Sequence, residues 1–437
     1  MTSLKKGDRV KIKFGSEAVV KEELGAGGQG TVFRVQYNGK DYALKWYHNG
    51  FLGNRLKVFF DNMQNNIDKG SPSDKFLWPI CLTEIINNSF GYIMDLRPSG
   101  YHEFTEFLTG TRKYKQVHFK SLDAIVNAGI NLIQAFRALH KKGYSYQDLN
   151  NGNFFINEKD GDVLICDNDN VAPDGKNFGI KGKDRYMAPE IVLGKNAPNV
   201  ISDRFSMAII LFRLLFINHP LEGKNSIDCI TNDSVLEYYG RNPVFVLDPK
   251  NNINRPIPGA DFNIRKFWSI YPIYIKELFT KAFSKETMQD GNKRVLEHEW
   301  LNAFLKLKAG IIKCPFCNEE TFIENSGDNK CVSCGMNIPV PASLEFNNVT
   351  LPLYPTSKIF YGNIDYNRDD ANEVIAEVII SKKDNKIIGI KNCSNLYFKV
   401  SLQDGSQKPI EPGKGVPIKK GLILDLIENS KNKGTIV

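Results

Sequence analysis

Six residues, GAGGQG at 25–30, lie between two strand-like runs, AVVKEEL and TVFRVQY, and this placement limits the fold more than any other feature of the chain. In a dinucleotide-binding fold a G-x-G-x-x-G joins a strand to a helix, with an acidic residue roughly 20 positions on for the ribose. Glycines between two strands disfavour that arrangement. In a hairpin, Gly25, Gly27 and Gly30 let backbone amides close over phosphates without Cβ obstruction, and Val32 follows them. Fifteen residues beyond Gly30, YALK puts Lys45 on the next strand, where its ammonium can meet those phosphates. Taken alone, the same residues fit a surface lysine beside a Gly-rich hairpin equally well.

The hairpin belongs to a longer meander. Residues 9–47 alternate as strands, with an Asn38-Gly39 hairpin turn, and 76–96 adds further strand pattern. With a helical pattern at 54–68 this gives an expected first lobe of five strands and one helix. From 121 to 140, Ser121 stands as a helix N-cap, and apolar residues at 122, 125, 126, 130, 133 and 136 make an amphipathic helix. Further helices are expected at 203–217, 271–284 and 294–308, so the second lobe is mostly helical. Near 309 the pattern changes: a cysteine cluster runs to 334, a proline-containing linker NIPVPAS follows, and from about 356 strand alternation around polar turns predicts a small all-β domain.

At 437 residues the chain has room for two to four domains, on a prior of roughly 100–200 residues each. The net charge of +8 is scattered over 57 basic and 49 acidic residues, which points to a solvated surface and not to nucleic acid. The N-terminal MTSLKKGDRVKIKFG has no apolar stretch of a secretory signal, and the longest apolar run, MAIILFRLLFI at 207–217, is too short to span a bilayer and carries Arg213. A soluble cytoplasmic protein, away from membranes, is expected. Cys81, Cys166, Cys229 and Cys393 stand alone and are expected as buried thiols.

The polar segment YSYQDLNNGNFFI at 144–156 carries Asp148 five positions before Asn153. Both types form turns readily. Fourteen residues beyond Asn153, however, VLICDNDN places Asp167 after an apolar strand. Downstream of a Gly-rich hairpin and a strand lysine, these are the parts of phosphoryl transfer: Asp148 to accept a hydroxyl proton, Asn153 and Asp167 to hold Mg²⁺ on phosphate oxygens.

These spaced elements resemble the protein-kinase superfamily over about residues 9–308. The family's H-R-D-L-x-x-x-N loop is similar to Tyr146-Gln147-Asp148-Leu149-Asn150-Asn151-Gly152-Asn153, its D-F-G to Asp167-Asn168-Asp169, and its A-P-E to Ala188-Pro189-Glu190. SDRFSMAIILF at 202–212 is similar to the family's buried helix, whose Asp, here Asp203, braces the catalytic loop, and Arg294 lies where it pairs with Glu190. The resemblance implies an ATP site of Gly25, Gly27, Gly30, Val32, Ala43 and Lys45, with a hinge at Met94, Asp95 and Leu96. It also implies transfer from Mg-ATP to protein Ser or Thr, the chain itself included, with Asp148, Lys45, Asn153 and Asp167 as the catalytic set.

Departures from the family carry information too. The Arg before the catalytic Asp, which answers a phosphate on the activation segment, is Gln147, and 168–189 holds no Ser or Thr. Control by activation-loop Ser/Thr phosphorylation is therefore not expected. The family's Lys two residues after the Asp is Asn150, and Lys183 is a candidate to supply that charge. No Glu occurs between Glu23 and Glu84, so the helix after Lys45 has none to pair with it, leaving Asp61 or Gln64 as substitutes. Asn168 and Asp169 in place of Phe and Gly argue against a Phe-out inactive state.

In CPFCNEETFIENSGDNKCVSCG, Cys314 and Cys317 form one knuckle, Cys331 and Cys334 another, and thirteen residues separate them. Four thiolates on two tight turns predict a closed tetrahedral site for structural Zn²⁺, with rubredoxin-like iron as the alternative. The expected class is α+β: a bilobal protein-kinase fold with an N-lobe at 1–95 and a C-lobe at 96–308, a four-cysteine zinc ribbon at 309–340 and an all-β, sandwich-like domain at 341–437. The tail loosely resembles forkhead-associated-like sandwiches but lacks their phosphothreonine signature, so partner recruitment is its expected role. The whole order is similar to bacterial kinases that work with a metal-dependent phosphatase and a von Willebrand A-domain protein in tellurite-resistance-type systems. A pseudokinase or nucleotide-sensing scaffold is the competing reading.

Overall fold

The computed structural model describes residues 4–109, 115–180, 182–227, 231–325, 327–347, 349–402, 405–427 and 432–437. In the first lobe, β1 (Arg9–Lys11), β2 (Glu17–Ala26), β3 (Gly30–Tyr37), β4 (Lys40–Tyr47), β5 (Cys81–Leu82) and β6 (Gly91–Met94) form one antiparallel sheet in the order β1-β2-β3-β4-β6-β5. There are six strands, not the expected five, because both short segments, Arg9–Lys11 and Cys81–Leu82, find edge partners. Asn38 and Gly39 both take positive φ, 47° and 80°, as a two-residue hairpin turn of this hand requires.

Period-two alternation along β4 sorts its side chains. Leu44 and Trp46 enter a core with Val20, Phe33, Val35 and Ile93. Ala43 and Tyr47 face the other way, toward Phe59 and Met63 of α1 (Leu56–Lys69) and toward Tyr92 and Met94. Lys45, between them, shares this second face.

The second lobe contains α2 (Phe104–Leu108), α3 (Leu122–Lys141), α4 (Pro189–Val192) and α5 (Val200–Phe216), followed by helices Phe262–Trp268, Ile273–Ala282, Lys285–Gln289 and Glu297–Ala309. Ser121 caps α3 by accepting from Ala124 N. The long apolar run lies in α5, which buries 13 of its 17 residues, as a helix apolar on all sides must inside a core. Among the described residues no helix is long and apolar enough to cross a membrane. A Cβ at Gly129 would come within 2.2 Å of the Phe304 ring, so glycine sets how closely α3 meets Glu297–Ala309.

Beyond this lobe, Ile311–Lys313 pairs with Glu320–Phe322, and Gly327–Lys330 with Asn337–Val340. NIPVPAS is thus not a linker: its residues belong to strands Asn337–Val340 and Ala342–Phe346, and Pro339 is tolerated in a two-stranded sheet where every strand is an edge. The rest forms a six-stranded and a four-stranded sheet. Both share an apolar core with the second lobe, and Arg137 and Lys308 tie the junction by hydrogen bonds to Asn367 at 2.5 Å and Asn372 at 2.7 Å. The expectation of buried lone thiols is corrected: Cys393 is exposed, and Cys81 and Cys166 are only partly covered, because each sits at a strand end or edge. Cys229 lies outside the described residues.

Candidate active site

The loop that follows α3 is held from beneath. Asp203, in the first turn of α5, accepts from Tyr146 N at 2.6 Å and Gln147 N at 3.0 Å and meets His140 Nε2 at 3.2 Å. Gln147 adopts a positive φ of 73°, a strained conformation for a residue with a Cβ, which these bonds over-determine. The turn brings Asp148 and Asn153 together. Asn153 Nδ2 donates to the Asp148 carbonyl at 2.7 Å, and Asn150 Nδ2 donates to the Asp148 carboxylate at 3.0 Å. Burial raises the Asp148 pKa above the usual carboxylate value; the two asparagine amides and Lys183 work in the opposite direction, and nearby Asp167 adds to the rise.

Lys45 reaches from β4 to the segment after strand Val163–Ile165. Its Nζ lies 3.1 Å from Asp167 Oδ1, and 2.9 and 3.1 Å from the two oxygens of Asp169. Gln29 of the Gly-rich hairpin also accepts from it at 3.1 Å. Burial opposes the lysine's charge, but Asp169 and Asp167 outweigh it and hold the ammonium above its ordinary pKa. The helix substitutes considered from sequence do not reach Lys45: Asp61 is exposed, and Gln64 bonds Lys13 and Asp68.

Of the three hairpin glycines, Gly30 is required by packing, since a Cβ there would lie 2.3 Å from Trp46 O. Gly25 has nothing within 4 Å of a Cβ, and Gly27 only Gly30 O at 4.0 Å, so their lack of side chains leaves an open face and serves no packing need. Behind the hairpin, Val32, Ala43, Met94 and Leu96 join Leu164 and Cys166 of the second lobe in one apolar cluster. Asp95 and Leu96 follow directly on β6, where the chain passes between the lobes.

Further along, Arg294 forms two hydrogen bonds with Glu190, at 2.8 and 2.6 Å. Gln147 donates to Ser145 Oγ at 3.0 Å and Lys176 O at 2.5 Å and accepts from Asn177 at 2.8 Å, so neutral amides tie segment 172–180 to the loop. Sequence reasoning missed Asp169, Gln29 and Asn177. Only Asp169 left a trace in the sequence, as an acid where the family has a glycine.

The four cysteines Cys314, Cys317, Cys331 and Cys334 bring their sulfurs within 4.8 Å of one another. Cys314–Cys334 and Cys317–Cys331 are each 3.8 Å apart, and a tetrahedron with metal–sulfur bonds of about 2.3 Å has edges of about 3.8 Å. Phe316 N and Ser333 N point at the first sulfur of each knuckle at 3.4 Å. At Cys331 burial opposes ionisation, but backbone N–H donors and the neighbouring thiols bring its pKa down to about 6.

A strand lysine of the first lobe thus meets an aspartate at a loop end of the second, beside a loop that holds an aspartate and an asparagine together. A family model for the protein kinase domain matches residues 18–240, just over half of the chain, and the chain belongs to that family. It is 27% identical over 244 residues to ribosomal protein S6 kinase alpha-4 of Mus musculus, covering 53% of this chain and 30% of that protein. It is 29% identical over 154 residues to serine/threonine-protein kinase YPK3 of Saccharomyces cerevisiae, covering 31% and 29%, and 29% identical over 128 residues to probable serine/threonine-protein kinase CCRP1 of Zea mays, covering 28% and 20%. The chain thus spans less than a third of the length of these curated relatives.

Proposed function

We propose that this chain is an ATP- and Mg²⁺-dependent protein kinase that transfers the γ-phosphate to Ser or Thr hydroxyls of proteins, itself included. The observation that carries the reading is the meeting of Lys45 with Asp167 at 3.1 Å across the cleft, beside the braced Asp148–Asn153 loop. The residues present fit the nucleotide and the metal: an open glycine face, a buried ammonium, and an Asp167 carboxylate whose side chain keeps 38% exposure toward the cleft. Asn153, with its Nδ2 turned to the Asp148 carbonyl, and Asp167 would hold Mg²⁺, and Lys45 would hold phosphate oxygens. When bound, Mg-ATP supplies the phosphoryl group and neutralises its charge. Asp148 accepts the proton of the incoming hydroxyl, and its raised pKa suits that task.

Activation-loop Ser/Thr phosphorylation does not control this enzyme, because uncharged bonds from Gln147 already order the segment that a phosphate would order. The cysteine cluster holds structural Zn²⁺, and the ribbon with the β domain recruits partners. On the resemblance to the tellurite-resistance-type systems, those partners are a metal-dependent phosphatase and a von Willebrand A-domain protein, and the setting is the bacterial cytoplasm.

The test is transfer of labelled γ-phosphate from Mg-ATP to the chain and to a generic protein substrate. Asp148→Asn should lower transfer by about 10²–10⁴-fold, the range of a lost general base. If wild type transfers nothing while Mg-ATP raises its melting temperature, the chain is a nucleotide-sensing scaffold and the kinase reading fails.

A further inference from the structure

Lys45 contacts two carboxylates, and their surroundings differ. Asp167 keeps 38% of its side chain exposed, whereas Asp169 exposes none. Asp169 places both oxygens on Lys45 and in addition accepts from Tyr47 Oη at 2.5 Å and Tyr92 Oη at 3.3 Å. A buried carboxylate is tolerated only when paired and fully hydrogen-bonded, and these four contacts meet that requirement. The one ionic partner of Asp169 among the described residues is Lys45.

Helix α1 presents no acid to Lys45. Its buried face consists of Phe59, Asn62, Met63 and Asn66. Asn62 and Asn66 instead both donate to Val171 O at 2.9 Å, and Arg55, just before the helix, donates to Phe178 O at 3.1 Å. The helix is therefore fastened to segment 171–178, while the lysine is fastened to residue 169 just ahead of that same segment.

Resting on the kinase reading above, we propose that Asp169 is the positioning residue that orients Lys45 on the nucleotide phosphates, in place of any acid on α1. The consequence is that α1 bears on the lysine indirectly, through its bonds to Val171 O and the packing of Phe59 on Tyr47, and not through an acid of its own.

The experiment compares wild type, Asp169→Asn and the double variant Asp61→Asn/Gln64→Ala, measuring kcat and KM for ATP and, by calorimetry, the Kd for Mg-ADP. Asp169→Asn is expected to lower kcat about 10²-fold, comparable to losing one preorganised electrostatic contact, and to weaken Mg-ADP binding by less than about tenfold. The helix double variant should stay within about twofold of wild type in all three quantities, the ordinary range of surface changes. Wild-type kcat and wild-type Mg-ADP affinity in Asp169→Asn, or an equal loss in the helix variant, overturn the proposal while leaving the kinase reading intact. If Asp169→Asn does not fold, Tyr47→Phe, which keeps the charge but removes one of its anchors, decides: a fall in kcat supports the proposal and an unchanged kcat overturns it. A wild type without any transfer sinks the kinase reading, and the calorimetric comparison then still reports whether Asp169 governs nucleotide affinity.

Discussion

Lys183 stands where kinases usually carry a threonine, and its Nζ lies 3.4 Å from Asn151 Oδ1. It is near enough to Asp148 to favour that residue's ionised form. Asn150, in the place of the family's lysine, is spent on the Asp148 carboxylate and brings no charge. Among the described residues Lys183 is thus a cation placed beside Asp148, and Lys183→Ala should reduce transfer by about 10–100-fold with nucleotide affinity unchanged, read by steady-state kinetics beside calorimetry. Equal activity in the variant would remove Lys183 from the mechanism. Single residues were legible in the sequence where their chemistry rests on short spacing. Asp148 and Asn153 are five residues apart on one turn, so their mutual hydrogen bond is nearly a local property. The role of Asp169 was not legible, because its partner Lys45 is 124 residues away and an acid in the place of the family's glycine does not reveal that partner.

At the level of elements, α3, α5 and Glu297–Ala309 meet at His140. The ring nitrogens lie 3.2 Å from Asp203 and 2.7 Å from Glu297, which also accepts from Arg204 at 2.8 Å. Burial alone would lower this imidazole's pKa, but the two carboxylates outweigh it and raise it to about 9. A folded-state pKa above the unfolded value near 6.5 means that the stabilisation is complete below about pH 6.5 and is lost as pH rises through about 9. Wild type should therefore lose melting temperature relative to His140→Gln between about pH 7 and 9.5, and parallel curves would show that the ring is neutral throughout. The helices themselves could be read from periodicity and capping, since Ser121 and the apolar positions after it are visible in a single window. NIPVPAS could not, because its prolines signal a turn and the partner strands Gly327–Lys330 and Val349–Leu353 are what make it part of two sheets.

Across the whole molecule, a kinase domain, a cysteine knuckle pair and a β domain share one chain. Among the described residues, the region around the cysteine knuckles has a core of six buried residues, Ile312, Cys314, Ile323, Cys331, Ile338 and Val340, two of which are proposed ligands. So small a core cannot offset its own ordering, whereas metal binding can contribute on the order of 10 kcal/mol. The protein should carry one zinc per chain by elemental analysis. Stripping the zinc with a chelator should abolish amide-exchange protection over 311–340 while the kinase lobes keep theirs, and full protection without metal would exclude the structural role. The strand-rich and helical regions, the cysteine knuckles and the loop holding Asp148 and Asn153 follow from the order of residues alone, because periodicity and close spacing are properties of neighbouring residues. That Asp169 is fully buried on Lys45 while Asp167, also bonded to it, stays partly exposed, and that Gln147 holds segment 172–180, follow only from the folded packing. Those outcomes depend on how β4, β6 and the second lobe close around residues far apart in the chain, and burial, unlike spacing, exists only after that closure.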